Sequence, residues 1–328
     1  MPAIYTSGAR IDHYQILRQL GRGGASHVYL AQDWHTLQEV VLKFPDDDLI
    51  GGAAVFERYK REAEIGRLLS HPSIQRHLNQ DEHRSAEYLV LEYMHGRTLR
   101  EVVQKRVPEM LPTEEVLHIL IQVCSALAYV HEHGVIHRDI KPENIMLLEN
   151  GDIKIFDFSI ALLERERPSR RLGFASPIGT PDYMAPERLL GAPGDRRADI
   201  YAVGVVMYEL LCGRTPFEEQ DGFALVTRHI SHDPPNIVQF NTMVSPALAT
   251  VVMRAIRRDP EKRYAFMRDL LYDLQHLDKV TVVNYSPDPP RIGGRYRQVI
   301  LIALIVLIVC LCIVVFGLFA QFAHHLVQ

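Results

Sequence analysis

Residues Val299 to Ala320 form 22 consecutive positions without a charged side chain, and 17 of them are Leu, Ile, Val or Phe. As a helix rising about 1.5 Å per residue, this run spans about 33 Å, against roughly 30 Å of bilayer hydrocarbon. At roughly −0.3 to −0.6 kcal/mol per apolar residue, insertion is favoured by about 5 to 10 kcal/mol, with no ionised group opposing it. A core helix of this length would carry a polar face, and this run has none. A transmembrane helix is therefore expected over 299–320. Arg291, Arg295 and Arg297 precede it, whereas only Gln321, His324, His325 and Gln328 lend polarity after it. The positive-inside rule then predicts residues 1–298 in the cytoplasm and 321–328 as a short external tail, a single-pass, tail-anchored arrangement in the cell membrane. Residues 1–13 form an N-terminal extension with no apolar core behind a positive start, so no cleavable signal peptide is expected.

The remaining chain must form a body of its own. Of 328 residues, 47% are hydrophobic and 23% charged, with a formal net charge of −4. That composition excludes a disordered chain and gives no basic surplus for nucleic acid. Cys124, Cys212, Cys310 and Cys312 are too few and too scattered for a disulfide framework or a zinc site. Residues 279–298 hold Pro287, Pro289, Pro290, Gly293 and Gly294 without amphipathic period, which predicts a juxtamembrane linker. Before it, short apolar runs (28–31, 40–44, 88–93) predict a strand-rich beginning, interrupted by helical spacing over 55–70. After Thr98 the chain turns mostly helical. Thr113 is a candidate N-cap for a helix over 116–131, and a second apolar helix over 200–212 ends at Gly213.

Three segments carry chemistry. Leu20-Gly21-Arg22-Gly23-Gly24-Ala25-Ser26-His27-Val28 is a glycine-rich turn between strands, where backbone N–H groups can approach phosphate oxygens. Alone this signal is weak, because hairpins with three glycines are common. Neither a dinucleotide fold nor a P-loop fits, since no helix pattern and no Gly-Lys-Ser/Thr follow. Lys43 lies in an apolar strand, where an unpaired ammonium is costly, and Glu62 on the helical stretch is placed to pair with it; Glu64 is the alternative. Third, Val135-Ile136-His137-Arg138-Asp139-Ile140-Lys141-Pro142-Glu143-Asn144-Ile145-Met146-Leu147 crowds polar groups between two apolar runs. Ile153-Lys154-Ile155-Phe156-Asp157-Phe158-Ser159 follows. Asp139, Asn144 and Asp157 are the hard oxygen ligands and base that phosphoryl transfer with Mg²⁺ requires.

With these residues in order, the chain resembles the eukaryotic-type protein kinase family, and in particular bacterial membrane-anchored serine/threonine kinases. The resemblance runs over 14–278 and includes Ala185-Pro186-Glu187, Asp199 and Arg263. It implies an α+β, two-lobed fold, with a small β-rich lobe over about 14–94 and a larger α-rich lobe over about 95–278. It implies ATP and Mg²⁺ (or Mn²⁺) as cofactors and protein Ser/Thr hydroxyls as acceptors. By that resemblance Gly21, Gly23 and Gly24 cover the phosphates and Val28 the adenine, with Glu92 and Met94 in the hinge and Leu91 as gatekeeper. Lys43, held by Glu62, contacts the phosphates. Asp139 accepts the acceptor's proton, Lys141 steadies the transferring group, and Asn144 and Asp157 ligate the metal. Asp199 braces the catalytic loop and Arg263 pairs with Glu187.

Lys141 and Thr180 match the serine/threonine branch. Arg138 is implied to grip a phosphorylated Ser176 in the segment between Asp157 and Glu187, switching activity on. Membrane anchoring raises local concentration, so phosphorylation in trans within a dimer is expected. Two positions depart from the pattern: Ser26 replaces the third loop glycine and Ser159 the glycine after Asp157-Phe158. Ser159 is expected to bias that pair toward one state. The competing readings are a nucleotide-binding pseudokinase scaffold, favoured only by Ser159, and a receptor, disfavoured by the short external tail.

Overall fold

The first hundred residues build an antiparallel sheet because their apolar side chains alternate. The computed structural model describes residues 5–23, 26–46, 52–78, 83–106, 110–164, 181–219 and 221–287. Its strands begin with β1 (Arg10–Ile11), β2 (Tyr14–Gly23), β3 (Ser26–Asp33) and β4 (Glu39–Pro45). Helix α1 (Gly52–Leu68) follows, then β5 (His77–Leu78) and β6 (Leu89–Glu92). These strands form one sheet in the order β1-β2-β3-β4-β6-β5. In β4, Val40, Leu42 and Phe44 pack on one face with Tyr14, Ile16, Tyr29 and Tyr88. Val41 packs on the other with Leu89 and Leu91, under Tyr59 and Ala63 of α1. With a period of two, Lys43 emerges on the same face as Val41, toward α1. The helix expected over 55–70 thus starts three residues earlier and ends two sooner.

Beyond β7 (Gly96–Thr98) the chain becomes helical through α2 (Leu99–Arg106) and α3 (Thr113–Glu132). Short strands β8 (Val135–Ile136), β9 (Ile145–Leu148), β10 (Ile153–Ile155) and β11 (Leu162–Leu163) follow, in two small sheets ordered β10-β9-β7 and β11-β8. The helices α4 (Pro186–Leu189), α5 (Arg196–Cys212), α6 (Gly222–Ser231), α7 (Pro246–Ala255) and α8 (Met267–Gln275) complete the larger lobe. Thr113 is not the N-cap of α3. The Pro112 carbonyl already accepts the Val116 amide at 3.0 Å, which moves the cap position to Pro112, without a side-chain bond, and makes Thr113 the first helical residue. By length and composition α3 alone among the described helices could cross a membrane, but its apolar side faces the core of the larger lobe. The expected span over 299–320 lies outside the described residues.

Helix α5 explains its own composition. Every residue from Ala198 to Leu211 is buried, so it has no face to leave polar. Asp195 caps its start by accepting the Arg197 amide at 2.8 Å, and Gly213 ends it at φ 70°, donating to the Glu209 carbonyl at 2.8 Å. Midway, Gly204 lets α7's end approach: an added Cβ would lie 2.5 Å from Ile256 Cγ2. Residues 280–287, the start of the expected linker, carry no helix or strand but lie along this lobe. The Tyr285 hydroxyl donates to the Pro234 carbonyl at 2.9 Å, and Arg257 donates to the Ser286 carbonyl at 2.8 Å.

His229 of α6 is 1% exposed and lies 3.0 Å from the Tyr201 hydroxyl. Burial pushes its pKa down to about 4. Because the folded value lies below the unfolded one of about 6.5, its contribution to stability is complete above pH 6.5 and declines as the pH falls toward 4. Urea melts should show a loss of about 2–3 kcal/mol from this group between pH 7 and pH 4.5, reduced in His229→Gln. Identical pH slopes for the two proteins would contradict the assignment.

Candidate active site

Lys43 Nζ lies 2.7 and 2.9 Å from the two oxygens of Glu62 and 2.8 Å from Asp157 Oδ1. Three elements therefore meet on one ammonium: β4, α1 and the segment after β10. Burial alone would lower the Lys43 pKa, but the carboxylates of Asp157 and Glu62 outweigh it and raise it above its ordinary value. Burial raises the Glu62 carboxyl, and Lys43 works against that. For Asp157 burial also opposes ionisation, yet Lys43 and a hydrogen bond from the Ser159 side chain hold it well below the usual carboxylate range. The pairing anticipated with Glu62, rather than Glu64, is the one formed.

Across the cleft, Asp139 is fixed from two sides. Lys141 Nζ lies 2.9 Å from its Oδ2, and Asn144 Nδ2 donates to the same oxygen at 2.9 Å and to the Asp139 carbonyl at 2.8 Å. Asn144 is held in a 3-10 turn over Pro142–Asn144. The loop bearing these residues hangs on Asp199, in the first turn of α5. Its buried carboxylate accepts the His137 amide at 2.9 Å and the Arg138 amide at 2.8 Å, and lies 2.8 Å from His131 Nε2. Arg138 takes φ 69° and Asp157 φ 66°, the left-handed region that L-residues enter only when surroundings enforce it. Ser159 is not among the residues with positive φ, so a glycine is not needed there in this state. Farther out, Arg263 holds Glu187 in a bidentate pair at 2.8 and 2.7 Å.

The expected nucleotide contacts are placed unevenly. Gly21 and Gly23 lie on β2, opposite Val28 and Ser26 of β3, and Val28 in turn pairs with Lys43. Gly24 lies outside the described residues, as do Ser176 and Thr180. Met94 is buried two residues beyond β6, the strand that contains Leu91. Glu92 spends its groups elsewhere: its amide donates to the Arg76 carbonyl at 2.9 Å and its carbonyl accepts Gln75 Nε2 at 2.8 Å. Its side chain lies 3.0 Å from Lys154. An adenine contact at Glu92 would use the second lone pair of that carbonyl.

Both Asn144 Nδ2 bonds go to Asp139, which leaves the Asn144 carboxamide oxygen for a ligand. With the ionised Asp157, it makes an oxygen donor set that suits Mg²⁺. Arg138 has a different neighbourhood. Burial, Arg188, Arg61 and Arg58 together push its pKa down to about 10, against the pull of Asp199. Sequence reasoning found Arg138 but not Arg58, Arg61 or Arg188, because they come from α1 and α4, far away in the chain.

A model of the protein kinase domain matches residues 14–273. The chain belongs to that family. Among its relatives, a probable serine/threonine-protein kinase of Corynebacterium efficiens is 37% identical over 279 residues, covering 83% of this chain and 42% of the relative. Serine/threonine-protein kinase PrkC of Bacillus subtilis is 34% identical over 269 residues, with 82% and 41% covered. PknB of Mycobacterium tuberculosis is 33% identical over 267 residues, with 80% and 42% covered. The kinase match thus spans less than half the length of these relatives. As a eukaryotic-type kinase domain of the bacterial kind, the chain has the two-lobed architecture anticipated from its motifs.

The shared ammonium can be tested without nucleotide. Lys43→Met should cost about 3 kcal/mol in denaturant melts, since it strands a buried Glu62, and Lys43→Met/Glu62→Gln should recover part of that loss. A coupling energy near zero in this double-mutant cycle would show that the pair is not formed.

Proposed function

We propose that this domain transfers the γ-phosphoryl group of ATP to serine and threonine hydroxyls of proteins, its own included, at a membrane to which residues 299–320 anchor it. The observation that carries this reading is Lys43 held between Glu62 and Asp157, at 2.7 and 2.8 Å. A lysine so placed presents a fixed positive charge to the nucleotide phosphates at no cost of reorganisation. Asp139, oriented by Asn144 and Lys141, accepts the proton as the hydroxyl oxygen bonds to the γ-phosphorus and ADP departs with the broken bridging bond. Lys141 lies beside that base, where charge moves during transfer. Asn144 and Asp157 would hold Mg²⁺, which neutralises charge on the phosphate oxygens. Gly21, Gly23, Gly24 and Val28 would line the phosphate and adenine side, and Met94 the hinge.

The intact set of Lys43, Asp139, Asn144 and Asp157 disfavours a pseudokinase scaffold. The serine/threonine preference rests on the resemblance of Lys141 and Thr180 and on the relatives being named serine/threonine kinases. Regulation by phosphorylation of Ser176 is supported by the arginines that surround Arg138, whose combined field suits a phosphate carrying about −1.5 to −2 charges. A second copy brought close by the membrane would deliver that phosphate in trans.

Residues 1–290 incubated with Mg²⁺ and labelled ATP should label themselves and a Ser/Thr-rich acceptor protein, with Asp139→Asn losing at least about 10²-fold. After phosphatase treatment, Ser176→Ala should regain less activity on renewed ATP exposure than the parent. No transfer by the parent would support the scaffold; equal recovery would remove Ser176 as the switch. For topology, protease added to intact cells should leave the kinase body whole and remove at most a C-terminal tag. Digestion of the body would refute the predicted orientation.

A further inference from the structure

Two turns of the smaller lobe bring a pair of imidazoles and a carboxylate together. His13 lies in the turn between β1 and β2, Asp33 ends β3, and His35 lies in the turn that leads on to β4. The backbone ties these turns to each other, the Trp34 amide donating to the His13 carbonyl at 2.9 Å. The rings of His13 and His35 stack, with centroids 4.5 Å apart and planes 10° from parallel. His13 Nε2 lies 3.9 Å from Asp33 Oδ1. One ligand atom from each of the three side chains falls within 4.8 Å of the others. No other group of three His, Cys, Asp or Glu side chains among the described residues is so placed.

The turn after β3 accounts for only part of this arrangement. Asp33 is 3% exposed, and its Oδ1 accepts the His35 amide at 2.8 Å and the Thr36 amide at 3.4 Å. Both bonds use one oxygen and fix the carboxylate, while Oδ2 accepts no hydrogen bond from the described residues. A buried anion with one oxygen unengaged favours a cation beside it. Imidazole nitrogen and carboxylate oxygen are the donors that Zn²⁺ takes. At bond lengths of about 2.0–2.2 Å, tetrahedral ligand atoms stand roughly 3.3 Å apart. His35 is exposed, so rotation of its side chain closes the remaining distance and turns its nitrogen out of the stack. Water supplies the fourth ligand. The nucleotide's metal is elsewhere, because β3 runs from Ser26 to Asp33 and, at about 3.3 Å per residue, separates the cluster from the glycine turn by roughly 23 Å.

We propose that His13, Asp33 and His35 form a binding site for a divalent transition metal of the Zn²⁺ type. The ion joins the β1–β2 turn to the β3–β4 turn, so its binding stabilises the smaller lobe. Such a site stands whether or not the domain transfers phosphate.

Trp34 is the only tryptophan in the chain and lies between two of the three ligands. Its indole N–H donates to Gln15 Oε1 at 3.2 Å and Arg10 covers its ring at 3.7 Å, so its emission reports on this corner alone. The full chain, without a polyhistidine tag and in neutral detergent and a non-chelating buffer, is titrated with Cu²⁺, whose open d shell quenches indole emission. Quenching should saturate, and excess Zn²⁺, which does not quench, should restore the emission where Mg²⁺ does not. His13→Ala and His35→Ala should each raise the Cu²⁺ midpoint by at least about tenfold. Asp33→Asn, which keeps an acceptor for the two amides, should raise it likewise. Zn²⁺ should also lift the melting temperature of the parent but not that of His35→Ala, a change at an exposed position. Midpoints that neither histidine substitution moves, or emission that excess Zn²⁺ fails to restore, would overturn the proposal.

Discussion

A fully buried carboxylate with three donors underlies everything on the larger side of the cleft. Asp199 is 0% exposed, and a charge in that position survives only because the His137 and Arg138 amides and His131 point at it. The two amides come from the loop that bears Asp139, and His131 comes from α3. Holding two consecutive amides on one carboxylate enforces the left-handed turn at Arg138, and the turn sends Asp139 into the cleft while its neighbour's side chain goes toward the arginines of α1 and α4. The geometry of the Asp139 loop is thus set from α5.

The smaller lobe meets this arrangement through Lys43. Its strand is fixed by apolar alternation, its partner Glu62 by the helix, and Asp157 by the loop beyond β10. Each of these carboxylates alone would be an expensive group to bury. Together with the ammonium they form a joint in which moving one element leaves a charge unmatched. Glu92 adds a second tie between the lobes through Lys154. The charged groups of the cleft therefore serve alignment first, and the chemistry they suit follows from that alignment.

Much of this was legible in the sequence because local rules point the same way. Alternation in 40–44 placed Lys43, the polar crowding of 137–144 marked the loop, and Gly213 marked the end of α5. Thr113 misled, since a preceding proline carbonyl can start a helix as well as a side-chain cap. The effect of Ser159 was not legible either: the glycine of the motif suggests a positive φ there, whereas the left-handed residue is Asp157 itself, and the Ser159 side chain bonds it. The ion pairs of Arg100 on α2 with Glu143 and Glu209 were invisible for a different reason: Arg100 and Glu209 are 109 positions apart, and no local pattern announces a contact at that separation.

Helix α5 has no solvent face from Ala198 to Leu211, and it is capped at both ends. Its central amides have no local route to water, so they should exchange hydrogen only when the whole lobe opens. Asp199 belongs to that helix, which means the turn carrying Asp139 should be released together with it. The joint at Lys43 has no such protection, since it depends on side chains from separate elements. Among the described residues, the joint at Lys43 can therefore loosen without opening the larger lobe, whereas the loop bearing Asp139 should open only together with α5.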